Sequence, residues 1–296
     1  MDVGFFTAGL VTGLREGVEA ALIVSIVLAY LGRTGNRRQF GKIWLGAGAA
    51  IALSVAVGVV LFVTIGGLTE PAEQLFEGLT MVLAAGVVTW MLFWMRRQSA
   101  SVRNSLHASL DRVLSEGSAW GLAILAFTAI IREGIETSLF LLGQTQAAAQ
   151  AQGGAGSTLT GALVGLLIAA GLGYGFYRGA RVLNLRTFFA WTGVALIFIA
   201  AGLLSSAVHE FLEVAEIAGT QVPLSGVAFD ISSVFPHEDN LLGELLHAIF
   251  GYTARPEWLA LIVWAAYVAT VLTMYLRPQP APAIAARPSE ERPRPA

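Results

Sequence analysis

Long apolar stretches alternate with short polar or charged connections along most of the 296-residue chain. Each stretch holds about twenty residues or more, the length that an α-helix needs to cross ~30 Å of hydrocarbon. The pattern predicts seven transmembrane helices, at about residues 5–31, 43–66, 72–95, 119–143, 158–178, 187–209 and 258–276. The chain is therefore predicted to be an all-α integral membrane protein.

The composition supports this fold class and limits the chemistry. Hydrophobic residues make up 55% of the chain and charged residues 13%, a balance that excludes an ordinary water-soluble domain. Cysteine is absent, so a metal ion would need oxygen or imidazole ligands. We find no nucleophile–base arrangement in the sequence, so we do not expect an enzyme. We expect membrane lipid around the protein, and neither an organic cofactor nor a nucleic-acid partner.

Lysine and arginine are distributed unevenly among the connections between the predicted spans. If the helices alternate in direction, Arg255 is the single basic residue in the connections on one side of the membrane. The other basic residues of the connections follow the first, third, fifth and seventh spans, which places them on the opposite side. The positive-inside rule then places the N-terminus outside and the C-terminus in the cytoplasm. The outer connections are acidic, and their field would concentrate cations.

A five-residue motif is present in two nearly identical copies, Arg15-Glu16-Gly17-Val18-Glu19 and Arg132-Glu133-Gly134-Ile135-Glu136. The 117-residue shift that superposes the two copies also carries the second span onto the fifth and the third onto the sixth. Because each unit holds three helices, the two units must enter the membrane from opposite sides, as in many secondary transporters. The sequence thus predicts two inverted three-helix repeats plus one extra helix.

These boundaries give a transmembrane permease domain over residues 1–276 and a disordered cytoplasmic tail over residues 277–296, which is rich in Pro, Ala, Arg and Glu. The predicted parts of the domain are repeat one at about 5–95, repeat two at about 119–210, an outer loop at about 210–257 and the seventh helix at about 258–276.

The duplicated motif places ionisable groups inside apolar spans, where each costs roughly 2.5–3.5 kcal/mol on insertion scales. Residues three apart share a helix face, so Glu16 and Glu19 form one pair and Glu133 and Glu136 another. An α-helix rises ~1.5 Å per residue. Counting from the outer end of span one and from the inner end of span four places both motifs at about the same depth, near the middle of the membrane. We expect the four carboxylates to converge on one cation.

The arginines qualify this prediction. Arg15 and Arg132 each precede the last acid of their motif by four residues, a spacing that permits an intrahelical ion pair. A purely structural ion-pair network is therefore an alternative. With Glu77 in the third span, five acids less two arginines leave a formal charge of −3, which favours a proton or a multivalent cation.

Oxygen ligands favour iron, manganese, magnesium or calcium over softer ions. A proton-coupled transporter of another divalent metal or of a small solute could use the same buried carboxylates, and it remains the alternative function.

A second group of candidate ligands follows the sixth predicted span. His209 and Glu213 are four residues apart, Glu213 and Glu216 are three apart, and Glu210 lies between them. They could gather metal at the outer mouth, or they could form a solvated helix end.

These motifs resemble those of the oxidase-dependent iron permease family, which includes the fungal high-affinity iron permeases and bacterial EfeU-type transporters. Both copies match that family's Arg-Glu-Gly-x-Glu signature, and the similarity extends over roughly residues 5–277 through five further segments, Glu77-Gly78, His209-Glu210-Phe211-Leu212-Glu213, Asp230-Ile231-Ser232, Gly251-Tyr252 and Pro256. The resemblance implies seven helices and iron import across the plasma (inner) membrane, with iron as substrate and the two signatures as its pathway.

The same resemblance implies an extracytoplasmic ferroxidase or iron-delivery protein as partner. Because some relatives are linked to lead uptake, the resemblance does not fix the identity of the metal. The sequence also does not decide between ferric and ferrous iron, and it does not identify the coupling ion or the oligomeric state.

Overall fold

A computed structural model describes residues 2–65, 69–98, 102–115, 120–149, 153–179, 184–236 and 240–277. The predicted disordered tail beyond Arg277 lies outside these residues. The helices are α1 (Val3–Arg33), α2 (Phe40–Ile65), α3 (Ala72–Gln98), α4 (Val102–Ser115), α5 (Gly121–Ala147), α6 (Gly154–Tyr177), α7 (Leu185–Ile217), α8 (Leu241–Phe250) and α9 (Trp258–Leu276). The described part of the chain contains no strand, and the predicted all-α class is confirmed.

Five of these helices, α2, α3, α6, α7 and α9, are long and apolar enough to cross a membrane. Less than half of each apolar window is buried inside the protein, and α2 exposes most of its apolar side chains. Such exposure suits a hydrocarbon solvent rather than water. Helices α1 and α5, with 31 and 27 residues, carry the two charged motifs.

Several helices begin and end at residues with suitable capping chemistry. The Asp2 carboxylate accepts a hydrogen bond from the Phe5 amide at 3.0 Å, and the Asn240 side chain accepts one from the Leu242 amide at 3.1 Å. Gly251 closes α8 with φ 69°, a conformation that glycine adopts without a steric penalty. Polar groups therefore fix the ends of helices whose interiors are apolar.

Helix α1 packs most extensively on α6, and the contact depends on glycine. A Cβ atom at Gly9 would overlap the Thr158 carbonyl, and one at Gly13 would overlap the Ala162 carbonyl. Later residues of α1 thus meet later residues of α6, so the two helices run parallel. Small residues let their backbones touch, which is how helices associate where lipid removes the hydrophobic driving force.

Helix α5 packs in the same way on α2. A Cβ atom at Gly46 would overlap the Ala123 carbonyl, and one at Gly134 would overlap the Ser54 hydroxyl. These two helices are also parallel. The first helix of each predicted repeat therefore packs on the second helix of the other.

Helices α1 and α5 cross at the centre of the molecule. The Gln144 amide donates to the Thr12 hydroxyl at 2.7 Å, while carboxylate oxygens of Glu16 and Glu133 lie within 4.8 Å of each other. Earlier residues of α1 meet later residues of α5, so the two helices are antiparallel.

Helix α3 lies against α5 and α7. The Trp94 ring stacks on Arg132, whereas Ala84, ten residues earlier, meets Gly143 of α5, so α3 and α5 are antiparallel. Gly78, near the start of α3, lies against Phe211, near the end of α7. The end of α3 instead approaches the start of α7. Helices α3 and α7 are therefore antiparallel as well.

Helix α9 packs on α7 and runs antiparallel to it, because Gly193 meets Tyr275 while Phe198 meets Trp264. Among the described residues, the seven helices of 19 or more residues thus alternate in direction along the chain. The buried core between α3, α7 and α9 includes Met81, Met91 and Ile197.

Two elements differ from the sequence-based expectation. Helix α7 continues to Ile217, past the end predicted at about residue 209. Helix α4 was not predicted, because its 14 residues include too few apolar positions to span a membrane. Its residue Leu110 is fully buried against Leu31 and Leu122, so α4 covers one end of α1 and α5.

Candidate metal site at the crossing of α1 and α5

The α1 motif lies at the middle of the molecule, and its charged side chains are almost fully enclosed. Arg15 and Glu16 are each 1% exposed and Glu19 is 7% exposed. The Arg15 guanidinium approaches Glu16 at 2.5 Å and Glu19 at 3.3 Å. Arg15 thus contacts both acids of its own motif, whereas the sequence predicted only its pair with Glu19, four residues away.

The α5 motif repeats this arrangement. The Arg132 guanidinium contacts Glu133 at 2.9 Å and Glu136 at 3.3 Å. Glu133 and Glu136 are 3% and 5% exposed. The Arg132 side chain is 35% exposed, so the two motifs differ in the burial of their cation.

Acids from the two motifs meet. One carboxylate oxygen from each of Glu16, Glu19 and Glu133 lies within 4.8 Å of the other two, a spacing that a single metal ion could bridge. Glu136 lies outside this closest group of three but contacts the same arginine as Glu133. Three of the four motif carboxylates, from both helices, are therefore grouped in the structure.

Several of these carboxylate oxygens have no hydrogen-bond partner among the described residues. They are Glu16 Oε2, Glu133 Oε2 and Glu136 Oε2, all buried. Glu19 Oε1 lies 3.3 Å from Arg15 but without hydrogen-bond geometry. Unpartnered buried oxygens are costly, and a hard cation is a group that they can coordinate.

Neighbours from α3, which sequence reasoning missed, hold the two arginines differently. Arg15 lies against the thioethers of Met91 and Met95, with nitrogen–sulfur distances of 2.9 and 3.0 Å. Arg132 instead lies 4.0 Å from the centre of the Trp94 ring, a cation–π contact. In the sequence, Met91 and Met95 are ordinary apolar span positions and Trp94 is expected to be an interfacial anchor, so no local signal identifies them as neighbours of the arginines.

A further polar pair lies beside the motifs. The Gln144 side chain donates to Thr12, and its own oxygen is buried without a partner. Thr12 precedes Arg15 by about one helical turn, so this pair lies next to the α1 motif on the side of the N-terminal end of α1. Gln144 was also missed, since a single amide in an apolar stretch carries little information by itself.

Glu77, which the sequence grouped with the motif acids, lies elsewhere. It is partly buried near the start of α3, and its charged neighbours are Glu210, Glu73 and Glu213. The next residue, Gly78, contacts the Phe211 ring. Glu77 thus belongs with the acids at the end of α7, not with the group of three at the centre.

The predicted outer group is partly brought together. The two ring nitrogens of His209 contact Glu257 at 2.7 Å and Glu213 at 3.4 Å, so both are already engaged with carboxylates. The hydrogen bond with His209 holds the pKa of Glu257 below its ordinary value. Glu210 is buried at 6% exposure, and Glu216 is exposed. Glu257 was missed because it lies 48 residues away in the chain.

The chain is similar to known proteins over nearly its whole length. A model of the iron permease FTR1 family matches residues 6–277. Proteins named ferrous iron permease EfeU are similar over nearly the whole chain. Those of Escherichia coli O6:K15:H31 (strain 536 / UPEC) and Shigella sonnei (strain Ss046) are each 39% identical over 276 residues, covering 93% of this chain and 96% of the relative. That of Yersinia pestis is 37% identical over 266 residues, covering 89% and 91%.

No solved structure matches the chain. The resemblance predicted from the motifs is confirmed by the family match, and so is the prediction of a permease rather than an enzyme. Together with its apolar helices, the match shows a multi-pass membrane protein. The chain belongs to the iron permease FTR1 family.

Proposed function

We propose that this protein imports iron across the plasma membrane through a site made by Glu16, Glu19, Glu133 and Glu136. The observation that carries the proposal is the meeting of buried acids from two motifs that are distant in sequence, with oxygens of three of them within 4.8 Å. The names of its relatives as iron permeases support iron as the substrate.

The charge of the site favours ferrous iron. Four carboxylates and two arginines give a formal charge of −2, because Glu77 lies apart with the acids of α7. A divalent cation would neutralise this site, and a trivalent cation would leave an excess positive charge in a medium where charge is costly.

Seven transmembrane helices, with the N-terminus outside, agree with this function. The alternating directions of the seven long helices support seven spans rather than five. Helices α1 and α5 complete the count, since they pack beside the five apolar helices. The concentration of Lys and Arg at the end of the molecule where α1 ends supports the orientation.

Two inverted repeats would provide the transport motion. Their support is the reciprocal packing of α1 on α6 and of α5 on α2, together with the antiparallel crossing of α1 and α5. Rocking of one repeat against the other would open the central site first to one side and then to the other. The acids around Glu77 and Glu210 would attract the cation at the outer end.

Arg15 and Arg132 would offset half of the four negative charges of the empty site. Each contacts both acids of its own motif, so an incoming cation must displace an arginine from at least one carboxylate. Release on the inner side would restore these ion pairs. The arginines therefore make both binding and release reversible, because neither state leaves four uncompensated buried charges.

Uptake of radioactive iron into proteoliposomes tests the proposal. We expect Glu16→Gln and Glu133→Gln each to abolish uptake of ferrous iron, because either change removes one ligand charge while preserving shape. Asp111→Asn, at an exposed position of α4 away from both groups of candidate ligands, is the control and should retain uptake. Normal uptake by both motif variants would refute the site.

The same vesicles distinguish the alternative function. A proton-coupled transporter of another solute would acidify or alkalinise the vesicle lumen without iron accumulation. A ferroxidase or iron-delivery partner stays a prediction of the family resemblance.

A further inference from the structure

A lateral groove of about 930 Å³ separates α2 from α6. Each of these helices packs on a different central helix, and they make almost no contact with each other, so the space between them stays open. The floor of the groove is formed by the motifs themselves, through Glu16 and Gly17 of α1 and Glu133 and Gly134 of α5. The side of the candidate metal site is thus incomplete in the isolated chain.

The walls of the groove are almost wholly apolar. Ile51 and Val55 on α2 face Leu166 and Ala170 on α6, and Ile51 and Val55 are 58% and 60% exposed. Water gains few hydrogen bonds in such a space, whereas a hydrocarbon chain loses none. The walls therefore favour an acyl chain.

One end of the groove has the chemistry of a phosphate-binding rim. The Phe40 and Tyr177 rings, 6.3 Å apart, close the groove at this end. Arg178 lies 5.8 Å from the centre of the Tyr174 ring. Three further exposed or partly exposed cations precede and begin α2, namely Arg37, Arg38 and Lys42.

These four cations have no acidic partner among the residues that the structure describes. The opposite end of the groove, at Phe62 and Leu159, differs in charge, because residues 43–95 and 133–177 contain no lysine or arginine. An anionic group is therefore favoured at one end of the groove only.

The distance from the basic end of the groove to the motif floor matches the thickness of one lipid leaflet. Phe40 at the basic end and Ser54, which contacts Gly134 on the floor, are fourteen residues apart on one helix. At ~1.5 Å per residue this is about 21 Å, half of the ~40–45 Å thickness of a bilayer with its headgroups. A lipid whose phosphate lies at the rim would extend its chain to the motif glutamates.

We propose that the groove binds an anionic phospholipid, with its phosphate among Arg38, Lys42 and Arg178 and one acyl chain along α2 and α6 to the motif floor. Basic pockets between membrane helices on the cytoplasmic side bind anionic headgroups in this manner. The lipid comes from the leaflet at which α1 ends, which the orientation under the proposed function makes the cytoplasmic one. Its chain completes the wall of the metal site and keeps water from entering sideways.

Native mass spectrometry of the purified full-length protein tests the headgroup. The protein in detergent and EDTA is titrated with dioleoylphosphatidylglycerol or dioleoylphosphatidylcholine, and we expect tighter binding of the phosphatidylglycerol. Arg178→Gln should weaken that binding about fivefold, and the double variant Arg38→Gln/Lys42→Gln about twenty-five-fold. Arg277→Gln is the matched control, since Arg277 is also exposed and caps the C-terminal end of a helix at the same membrane face.

A steric variant tests the acyl chain. Ile51→Trp places a large ring inside the groove and should reduce binding of both lipids. Leu53→Trp, on the same helix and 46% exposed but outside the groove, should bind as the unmodified protein does. Circular dichroism and gel filtration confirm that both variants are folded.

Three results would overturn the proposal: equal affinity for the two lipids, equal effects of Arg178→Gln and Arg277→Gln, or equal binding by the two tryptophan variants. A dimer that Ile51→Trp dissociates would show instead that a second copy of the chain covers the groove. None of these measurements uses iron, so they stand or fall separately from the uptake test on Glu16 and Glu133.

Discussion

Removing the motif arginines one at a time should have unequal effects, because their surroundings differ. Arg15 is 1% exposed and contacts two buried carboxylates, whereas the Arg132 side chain is 35% exposed. Breaking a buried ion pair by removing one partner costs about 3–5 kcal/mol. Arg132 is less completely desolvated, because about a third of its side chain is exposed, so we expect a smaller loss of about 1–2 kcal/mol including the contact with Trp94.

Arg15→Met should therefore destabilise the protein by about 2 kcal/mol more than Arg132→Met, which is roughly a thirtyfold difference in the unfolding equilibrium. Methionine keeps an unbranched apolar side chain and removes the charge and the hydrogen-bond donors. Unfolding in mixed detergent micelles with EDTA, followed by tryptophan fluorescence, measures the difference.

A double variant identifies the cause of this loss. If the cost of Arg15→Met comes from uncompensated acid, Glu19→Gln in the same chain should restore part of the stability, because it removes one of the two stranded carboxylates. Equal destabilisation by the two arginine variants, or no recovery in the double variant, would refute the reasoning from burial.

Two further predictions concern packing and the outer end. Gly13→Val should prevent stable folding, because a side chain there overlaps the Ala162 backbone, whereas Gly48→Val, with open space around it, should fold; expression and gel filtration compare them. The lowered pKa of Glu257 means that its contact with His209 stabilises the protein above the ordinary glutamate pKa of 4.5, and that this contribution is lost as the pH falls through the lowered value. Glu257→Gln should thus unfold with a weaker dependence on acid pH, and an unchanged dependence would contradict the assignment.

Much of the architecture could be predicted because a bilayer imposes a simple length rule. Each of the seven predicted spans overlaps one long helix, since roughly twenty apolar residues leave few alternatives in hydrocarbon. The meeting of Glu16 with Glu133 could also be predicted, because the duplicated motif and the three-residue spacing of its acids fix a shared face and a shared depth.

The surroundings of the arginines could not be predicted from the repeat. Met91 and Met95 hold Arg15, but the 117-residue shift places Val208 and Leu212 at the corresponding positions, and neither has a sulfur atom. The two halves therefore share the motif without sharing its environment. Symmetry in the sequence predicts where the acids lie and not how each arginine is held.

Glu77 shows a second limit. An acid inside a span was grouped with the other acids because all lie in apolar stretches, but depth along the helix separates them. Glu77 is only five residues from the start of α3 and meets Glu210 of α7. The pairing of α3 with α7 follows from packing between helices, which a single sequence does not reveal.

Equilibrium binding of ferrous iron to the purified protein under anaerobic conditions tests the central claim most directly. Acids from both motifs are expected to hold one ion between them, so the unmodified protein should bind one high-affinity ion per chain. Glu16→Gln and Glu133→Gln should each remove that same ion. Two ions per chain, each lost with only one of the variants, would contradict a shared site, as would full binding by the double variant.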